Sequence, residues 1–437
     1  ALGAWALEAN LEGSSNTALG TGAMSKNKTG DYNTALGYSA LSSNVSGDDN
    51  TAVGSGAIGF NTTGNGNAAF GSSALSQNET GKNNIGIGIY AASTNKIGHA
   101  NVAIGPNALS KATNPSYLVA VGDSALNNNG IGAVNSTQGS ANTAIGSKSL
   151  LNNTLGYQNS ALGFNALIAN TTGYNNTALG AYALRVSTTG IENTAVGRNA
   201  MNNNTQGDYN VALGSVALIN NINGDFNTGV GVNALSTNTV GNGNTALGFG
   251  ANVSANNLTN ATVIGYNSTV NASNKIRLGN GTVTVIEGQV NYTTSDGRFK
   301  KNIKDNVPGL DFITALKPLT YQYRSYEMEK HMNQGNAERQ KALKEKDFEE
   351  AESMVHMGFI AQDVEKLVKE KGYDLALVHA PTNPTDNYSI AYGELIVPLV
   401  KAVQEQQAMI AGLQQQAAVQ IQLIDALQRR IDQLEKK

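Results

Sequence analysis

The sequence predicts a mainly β protein: a parallel β-solenoid of 17-residue coils, then a small α/β domain, then a C-terminal coiled coil. Three observations predict it. The pattern Asn-Thr-Ala-Leu-Gly-x-x-Ala-Leu recurs, as in Asn33–Leu41 and Asn176–Leu184, and its central glycines are almost always 17 residues apart. Charge is unevenly placed, with 21 Asp, Glu, Lys and Arg in residues 1–294 and 40 in residues 295–437. From Ile396 onward the apolar residues keep a heptad register.

The glycines run from Gly3, Gly20 and Gly37 to Gly122, then from Gly146 to Gly265, with one 24-residue step between the two sets. A second column follows ten residues later, at Gly30, Gly47, Gly64, Gly173 and Gly190. Seventeen residues are too few for a helical repeat and enough for two short strands with two turns. Gly and Asn suit those turns because they tolerate positive φ. Sixteen coils stacked at about 4.8 Å would give a rod on the order of 80 Å long. In Thr34-Ala35-Leu36, Ala and Leu face opposite sides of a strand. The Ala column fits a thin interior, which leaves the other apolar column as a continuous stripe. Such a stripe is too large for a soluble monomer, so the rod is expected to be a parallel homo-oligomer. The Asn16, Asn33, Asn50 and Asn67 column is expected to stack as an amide ladder along the axis.

Several apparent sites belong to the repeat. Gly86-Ile87-Gly88 is the repeat in register rather than a phosphate loop, and the Asn-x-Thr triplets read as coil residues before glycosylation acceptors. Seven extra residues within 127–141 should bulge from one coil, as a tolerated insertion or a receptor-contacting loop. Residues 1–294 hold only 11 acidic residues, and the adjacent pair Asp48-Asp49 sits in register as turn residues, so nothing suggests a polysaccharide-cleaving carboxylate pair. A net charge of −3 gives no reason to expect nucleic acid or an anionic membrane as partner. There is no Cys, and no apolar run approaches the roughly 18 residues of a membrane span. His99, His331, His356 and His379 are scattered, and neither a metal nor another cofactor is assigned. No signal peptide is visible. The chain opens inside a repeat unit at Ala1-Leu2-Gly3, so a preceding part is expected.

Residues 266–294 read as a β neck, with alternating runs at Thr282–Glu287 and Gln289–Tyr292. Beyond them, Gly309–Leu316 predicts a short helix ended by Pro318. Leu319–Arg324 and Met357–Ala361 predict strands, Glu327–Glu352 a solvated helical arm, and Asp363–Lys371 a helix stopped by Gly372. Heptad a positions are Ile396, Val403, Ile410, Ala417, Ile424 and Ile431. The d positions are Leu399, Gln406, Leu413, Gln420, Leu427 and Leu434. Branched a residues with Leu at d lean toward two strands, and the two Gln weaken that preference.

Two parts of the chain resemble known families. The 17-residue repeats are similar to the head repeats of trimeric autotransporter adhesins, which implies a trimeric left-handed β-roll, although that family's usual period is 14. Four blocks downstream are Ser295-Asp296-Gly297-Arg298-Phe299-Lys300-Lys301-Asn302-Ile303, Leu316-Lys317-Pro318 with Tyr321–Tyr323, Gly358–Val364, and Tyr392–Ile396. In this order they resemble the endosialidase-type intramolecular chaperone domain that ends many phage tail fibres and tailspikes. The resemblance implies a homotrimer and a chaperone that cuts itself off. It makes Ser295 the nucleophile, Lys300 its general base and Thr294–Ser295 the scissile bond, with Asp296 and Arg298 holding the loop. A straight helix would put residues five apart about 140° from each other. The segment must therefore turn, or Lys300 must come from a neighbouring chain. The Lys amine must also lose its proton near neutral pH, which burial favours.

The expected organisation is a solenoid shaft at 1–265, a neck at 266–294, the self-cleaving chaperone domain at 295–395 and the coiled coil at 396–437. The expected function is that of a phage-type tail fibre that meets a host receptor, placed on the virion. The alternative is a bacterial surface adhesin carrying the same self-cleaving chaperone, although that class should end in membrane strands where this chain ends in a coiled coil.

Overall fold

The computed structural model describes residues 1–286, 295–334 and 337–435. It divides into two compact units, Ala1–Asn280 with Met332–Lys341, and Gly281–His331 with Ala342–Lys437.

The first unit is a parallel β-solenoid. One sheet of 16 strands stacks in chain order from Thr17–Leu19 to Ile276–Leu278. Equivalent residues lie exactly in register: Thr34 beside Thr51, Ala35 beside Ala52, Leu36 beside Val53. The backbone bonds repeat with them, Thr34 N–H donating to the Asn50 carbonyl and Gly37 N–H to the Leu19 carbonyl, both at 2.8 Å. The 17-residue spacing ends at Gly265, but the sheet continues through one further 14-residue step to Ile276–Leu278.

The expected second strand of each coil is absent from nearly all of them. In its place come turns with left-handed residues at alternate positions, such as Ser39 and Leu41 with φ of 50° and 52°. Residues in that conformation cannot extend, so no strand forms. The coils are still tied there, Leu41 N–H donating to the Ala57 carbonyl at 2.9 Å. Only near the end does a second pairing appear, between Asn252–Val253 and Thr269–Val270.

The interior follows the predicted facing. Ala35, Ala40 and Leu41 are fully buried, whereas Leu36 keeps 42% of its surface. Its equivalents Leu19, Phe70, Ile87, Ile104, Ile145, Leu162, Leu179, Leu213, Leu247 and Ile264 form the exposed stripe. The predicted amide ladder is present: Asn50 Nδ2–H donates to Asn33 Oδ1 at 3.1 Å and to the Gly64 carbonyl at 2.8 Å. A second ladder lies eleven residues further round most coils, with Asn44 Nδ2–H on Asn27 Oδ1 and Asn61 Nδ2–H on Asn44 Oδ1, both at 2.7 Å, and it is interrupted at Ala112 and Ser187. Glycine is required at Gly37, whose φ of 139° brings it flat against the Gly54 backbone, so that a Cβ would strike the Gly54 carbonyl.

The extra residues enter at one turn. Asn27 bonds the Gly30 carbonyl three residues on, while its equivalent Asn129 bonds the Gly139 carbonyl ten residues on, at 2.7 Å. The sheet passes this bulge unbroken, Val119 pairing with Thr143.

The second unit is small and mixed. Leu319–Tyr321 pairs antiparallel with His356–Gly358, and Val378–His379 with Ser389–Ile390. Helices run over Leu310–Ile313, Ala361–Glu370 and, for 40 residues, Ile396–Glu435. The core is Phe312, Val364, Val368 and Leu377. No helix among the described residues is long and apolar enough to cross a membrane.

Two sequence expectations need correction. Thr282–Ile286 form no strand, and Glu287 and Gln289–Tyr292 lie outside the described residues. Glu327–Glu352 is no solvated arm. It breaks into Ser325–Met332, Ala337–Ala342, Glu345–Phe348 and Glu349–Ser353, with Glu329, Met332 and Phe348 buried. The Glu329 carboxylate accepts the Gly281 N–H at 2.9 Å. A buried polar group is tolerated when it is hydrogen-bonded, and that bond depends on a contact 48 residues away in sequence.

Candidate functional site

The segment after the composition change builds one tight turn. Asp296 sits extended at its head, φ −72° and ψ 121°, and its side chain accepts the Arg298 N–H at 2.9 Å. Asp is suited to this because its short carboxylate reaches a backbone donor two residues on. Gly297–Phe299 then forms a single 3₁₀ turn, closed by Phe299 N–H on the Asp296 carbonyl and Lys300 N–H on the Gly297 carbonyl. Lys300 is again extended, and Asn302 bends the chain with φ 55°.

Arg298 fastens the turn from outside. Its Nε and Nη2 donate to Asp296 Oδ2 at 2.9 and 2.6 Å, and its guanidinium lies 5.6 Å from the Phe299 ring centre. Hydrogen bonds from the Arg298 side chain, then from its backbone N–H, hold the Asp296 carboxyl below the ordinary range, and the Arg298 guanidinium is pushed up in return.

The turn brings Ser295 and Lys300 of one chain together, Lys300 Nζ donating to Ser295 Oγ at 2.8 Å. The angular objection to residues five apart does not apply, because the segment is a turn between extended residues and not a continuous helix. Both side chains are exposed in the protomer. A hydroxyl beside an amine can be activated as a nucleophile once the amine is neutral, and desolvation favours the neutral form. Thr294 lies outside the described residues.

The other sequence blocks meet around the antiparallel pair. Tyr321 stands beside His356 and Thr320 beside Met357. The Tyr321 and Tyr323 hydroxyls are 3.2 Å apart, and both rings contact His356. The hydrogen bond with Tyr323, together with burial, pushes Tyr321 up to about 12. Tyr392 Oη accepts the Phe359 N–H at 2.9 Å and lies where a Cβ on Gly358 would be, which is why that position is glycine. Glu405 on the long helix accepts the Leu310 N–H at 2.7 Å, so the helix's first turns are fixed to the small core. Sequence reasoning did not single out Glu405, Phe299 or Ile303. The last two carried a signal, being large apolar residues within a strongly charged run.

Residues 295–373 match the family model described as chaperone of endosialidase. No curated protein and no solved structure matches the chain. The match opens on Ser295, the first residue of the turn. This family implies trimer formation and, generally, self-cleaving autopeptidase activity. Together with the solenoid it fits a tail-fibre-like trimeric rod with an intramolecular chaperone.

Proposed function

We propose that the chain is a subunit of a phage-type tail fibre whose second unit gathers three chains and then cuts the Thr294–Ser295 bond. The observation that carries this reading is the Lys300–Ser295 hydrogen bond of 2.8 Å at the start of the matched region. Ser295 is the nucleophile and Lys300 of the same chain its base. A serine hydroxyl reaches the preceding carbonyl carbon through a five-membered ring, so no separate substrate site is required. Neutral Lys300 takes the Ser295 Oγ proton as Oγ bonds to the Thr294 carbonyl carbon. The Ser295 nitrogen then leaves with that proton, giving an ester, which water hydrolyses to a Thr294 carboxylate and a free Ser295 amine. Asp296 and Arg298 keep the turn closed and do not touch the reacting atoms.

Exposure in the protomer explains the timing. The reaction needs a neutral amine, and removing water favours that form. Covering it on assembly would switch the reaction on only after three chains have met. The Ile396–Glu435 helix, apolar at most of the heptad a and d positions and largely exposed, is the coiled coil that brings them together. The exposed stripe of the rod is then covered by the same stripe of its partners, and the outer surface meets a host-cell receptor, glycan or protein. The likeness of the repeats to adhesin heads also supports placement on a bacterial surface. Antibody labelling of virions against labelling of bacterial cells distinguishes the two.

The cleavage is tested on a denaturing gel. The chain should yield fragments of 294 and 143 residues, and Ser295→Ala and Lys300→Met should each leave one band. A chain that trimerises in solution and stays whole overturns the reading.

A further inference from the structure

Two apolar side chains bracket Lys300 and remain largely exposed, Phe299 meeting only the Arg298 guanidinium 5.6 Å from its ring centre among the described contacts. Phe299 is 78% exposed and Ile303 79% exposed. Exposed single apolar residues are ordinary on a protein surface. A phenylalanine and an isoleucine on either side of a lysine that needs desolvation are not neutral in their placing. Each lies in the segment whose water must be removed before the reaction starts.

The same unit carries a shallow apolar hollow of about 330 Å³, broadly open to solvent. Ile313, Leu316, Pro318, Phe359, Leu395 and Leu399 line it. Its wall combines the short helix after the cleavage segment with the first turns of the long helix, which Glu405 holds in place. Phe299 of the same chain does not line the cavity and projects into solvent. The protomer therefore has both an apolar knob and an apolar hole, and neither fills the other.

We propose that the hole receives the Phe299 side chain of a second copy of this chain. Three considerations on the molecule favour that occupant. The matched family implies trimer formation, so each hole can be offered two further copies of the knob. The hole includes Leu395 and Leu399, at the start of the long helix whose exposed heptad side chains are free to meet other copies. A Phe299 seated there carries its neighbour Lys300 against the partner's surface and removes its water. This inference rests on the proposed cleavage and adds its surface: the dyad lies within one chain, and its neighbour supplies the dry wall. Phe299 is a positioning residue, since it acts through Lys300 and never meets the scissile bond.

The native chain has no cysteine, which permits a direct test. Phe299→Cys and Pro318→Cys are placed together in a Ser295→Ala chain, so that no cleavage is needed for the readout. After mild oxidation, a non-reducing denaturing gel should show covalent dimers and trimers, absent from either single-cysteine chain. Exclusively monomeric chains, with free thiols or an internal disulfide, overturn the proposal, because the hole would then be empty or filled in cis. A second readout uses the cleaving chain. Phe299→Ser should slow fragment release by about tenfold, and Phe299→Leu should restore most of it, with the trimer content unchanged in solution. Unslowed release by a trimeric Phe299→Ser chain also overturns it. Complete absence of cleavage in the native chain, with crosslinking present, would instead remove the peptidase reading and leave the docking intact.

Discussion

The two units satisfy their own chemistry to different degrees. In the solenoid, one chain suffices for the interior: Ala35, Ala40, Leu41, Asn33 and Asn44 are all fully buried, and buried amides answer one another coil to coil. In the second unit a core of four buried residues supports a 40-residue helix whose side chains beyond its first turns face outward. The rod thus brings an interior and leaves one stripe uncovered, while the second unit brings surfaces that are largely unfinished. The information for assembly is concentrated where the single chain is least complete.

The comparison is most severely tested by removing the long helix. A chain ending at Leu395 should lose the trimer in sedimentation, and cleavage should fall by about a hundredfold or more. Its far-ultraviolet β signal should remain. Normal cleavage by the truncated chain would separate assembly from chemistry and sink the coupling.

Smaller effects are expected inside the rod, and they should depend on which side of the strand is changed. At Gly163, φ is 143° and a Cβ would meet the Gly180 carbonyl. Gly163→Val should therefore cost about 3 kcal/mol or more in thermal or denaturant unfolding. Because each coil touches only its neighbours, the rod should then melt in two steps. In the next coil, Asn176 Nδ2–H bonds Asn159 Oδ1 and the Gly190 carbonyl, and its Oδ1 accepts the Asn193 N–H. Asn176→Leu should cost about 2–3 kcal/mol through the partners left unsatisfied. Leu179→Ser, three residues on and facing outward, should change the single chain by only about 0.5 kcal/mol while weakening the trimer. Equal costs for the two would mean the outer face is not an interface.

The smallest effect is alkaline. Tyr321 is raised from 10.0 to about 12 by its bond with Tyr323 and by burial. A raised pKa favours the protonated form in the fold, so its stabilisation is complete below about pH 10 and is lost as pH rises through about 12. The tyrosinate absorbance of the native chain should lag that of Tyr323→Phe in this window. Coincident curves would show that the hydroxyl pair contributes nothing.

Much of this was legible from the repeat. A strict 17-residue period fixes which residues stack, and alternation within Thr-Ala-Leu fixes which way they face. The left-handed second leg was not legible, because Leu41 and its equivalents have no local preference for positive φ. They accept that cost, about 1–2 kcal/mol each, in return for burial and a bond to the next coil. The ladder through Asn27, Asn44 and Asn61 could have been found, since Asn-x-x-Gly recurs at those positions with the same period. Ser295 and Lys300 were visible only through the blocks around them, as Ser-x-x-x-x-Lys has no force alone. That they meet in one chain depends on Asp296 capping a single turn, which residue spacing alone does not reveal.

The amide ladders point one way. Asn44 gives its proton to Asn27, Asn61 to Asn44 and Asn78 to Asn61, always from the later coil to the earlier. In the column that includes Asn33, the last carbonyl, on Asn244, is met by the Ala261 backbone N–H at 3.0 Å. The side-chain ladders therefore give the stack a direction. Each later coil thus finds side-chain acceptors on the coil before it, while Asn50 also reaches forward to the Gly64 carbonyl and draws the next coil on. Order set in one coil can therefore pass to the next, along the rod.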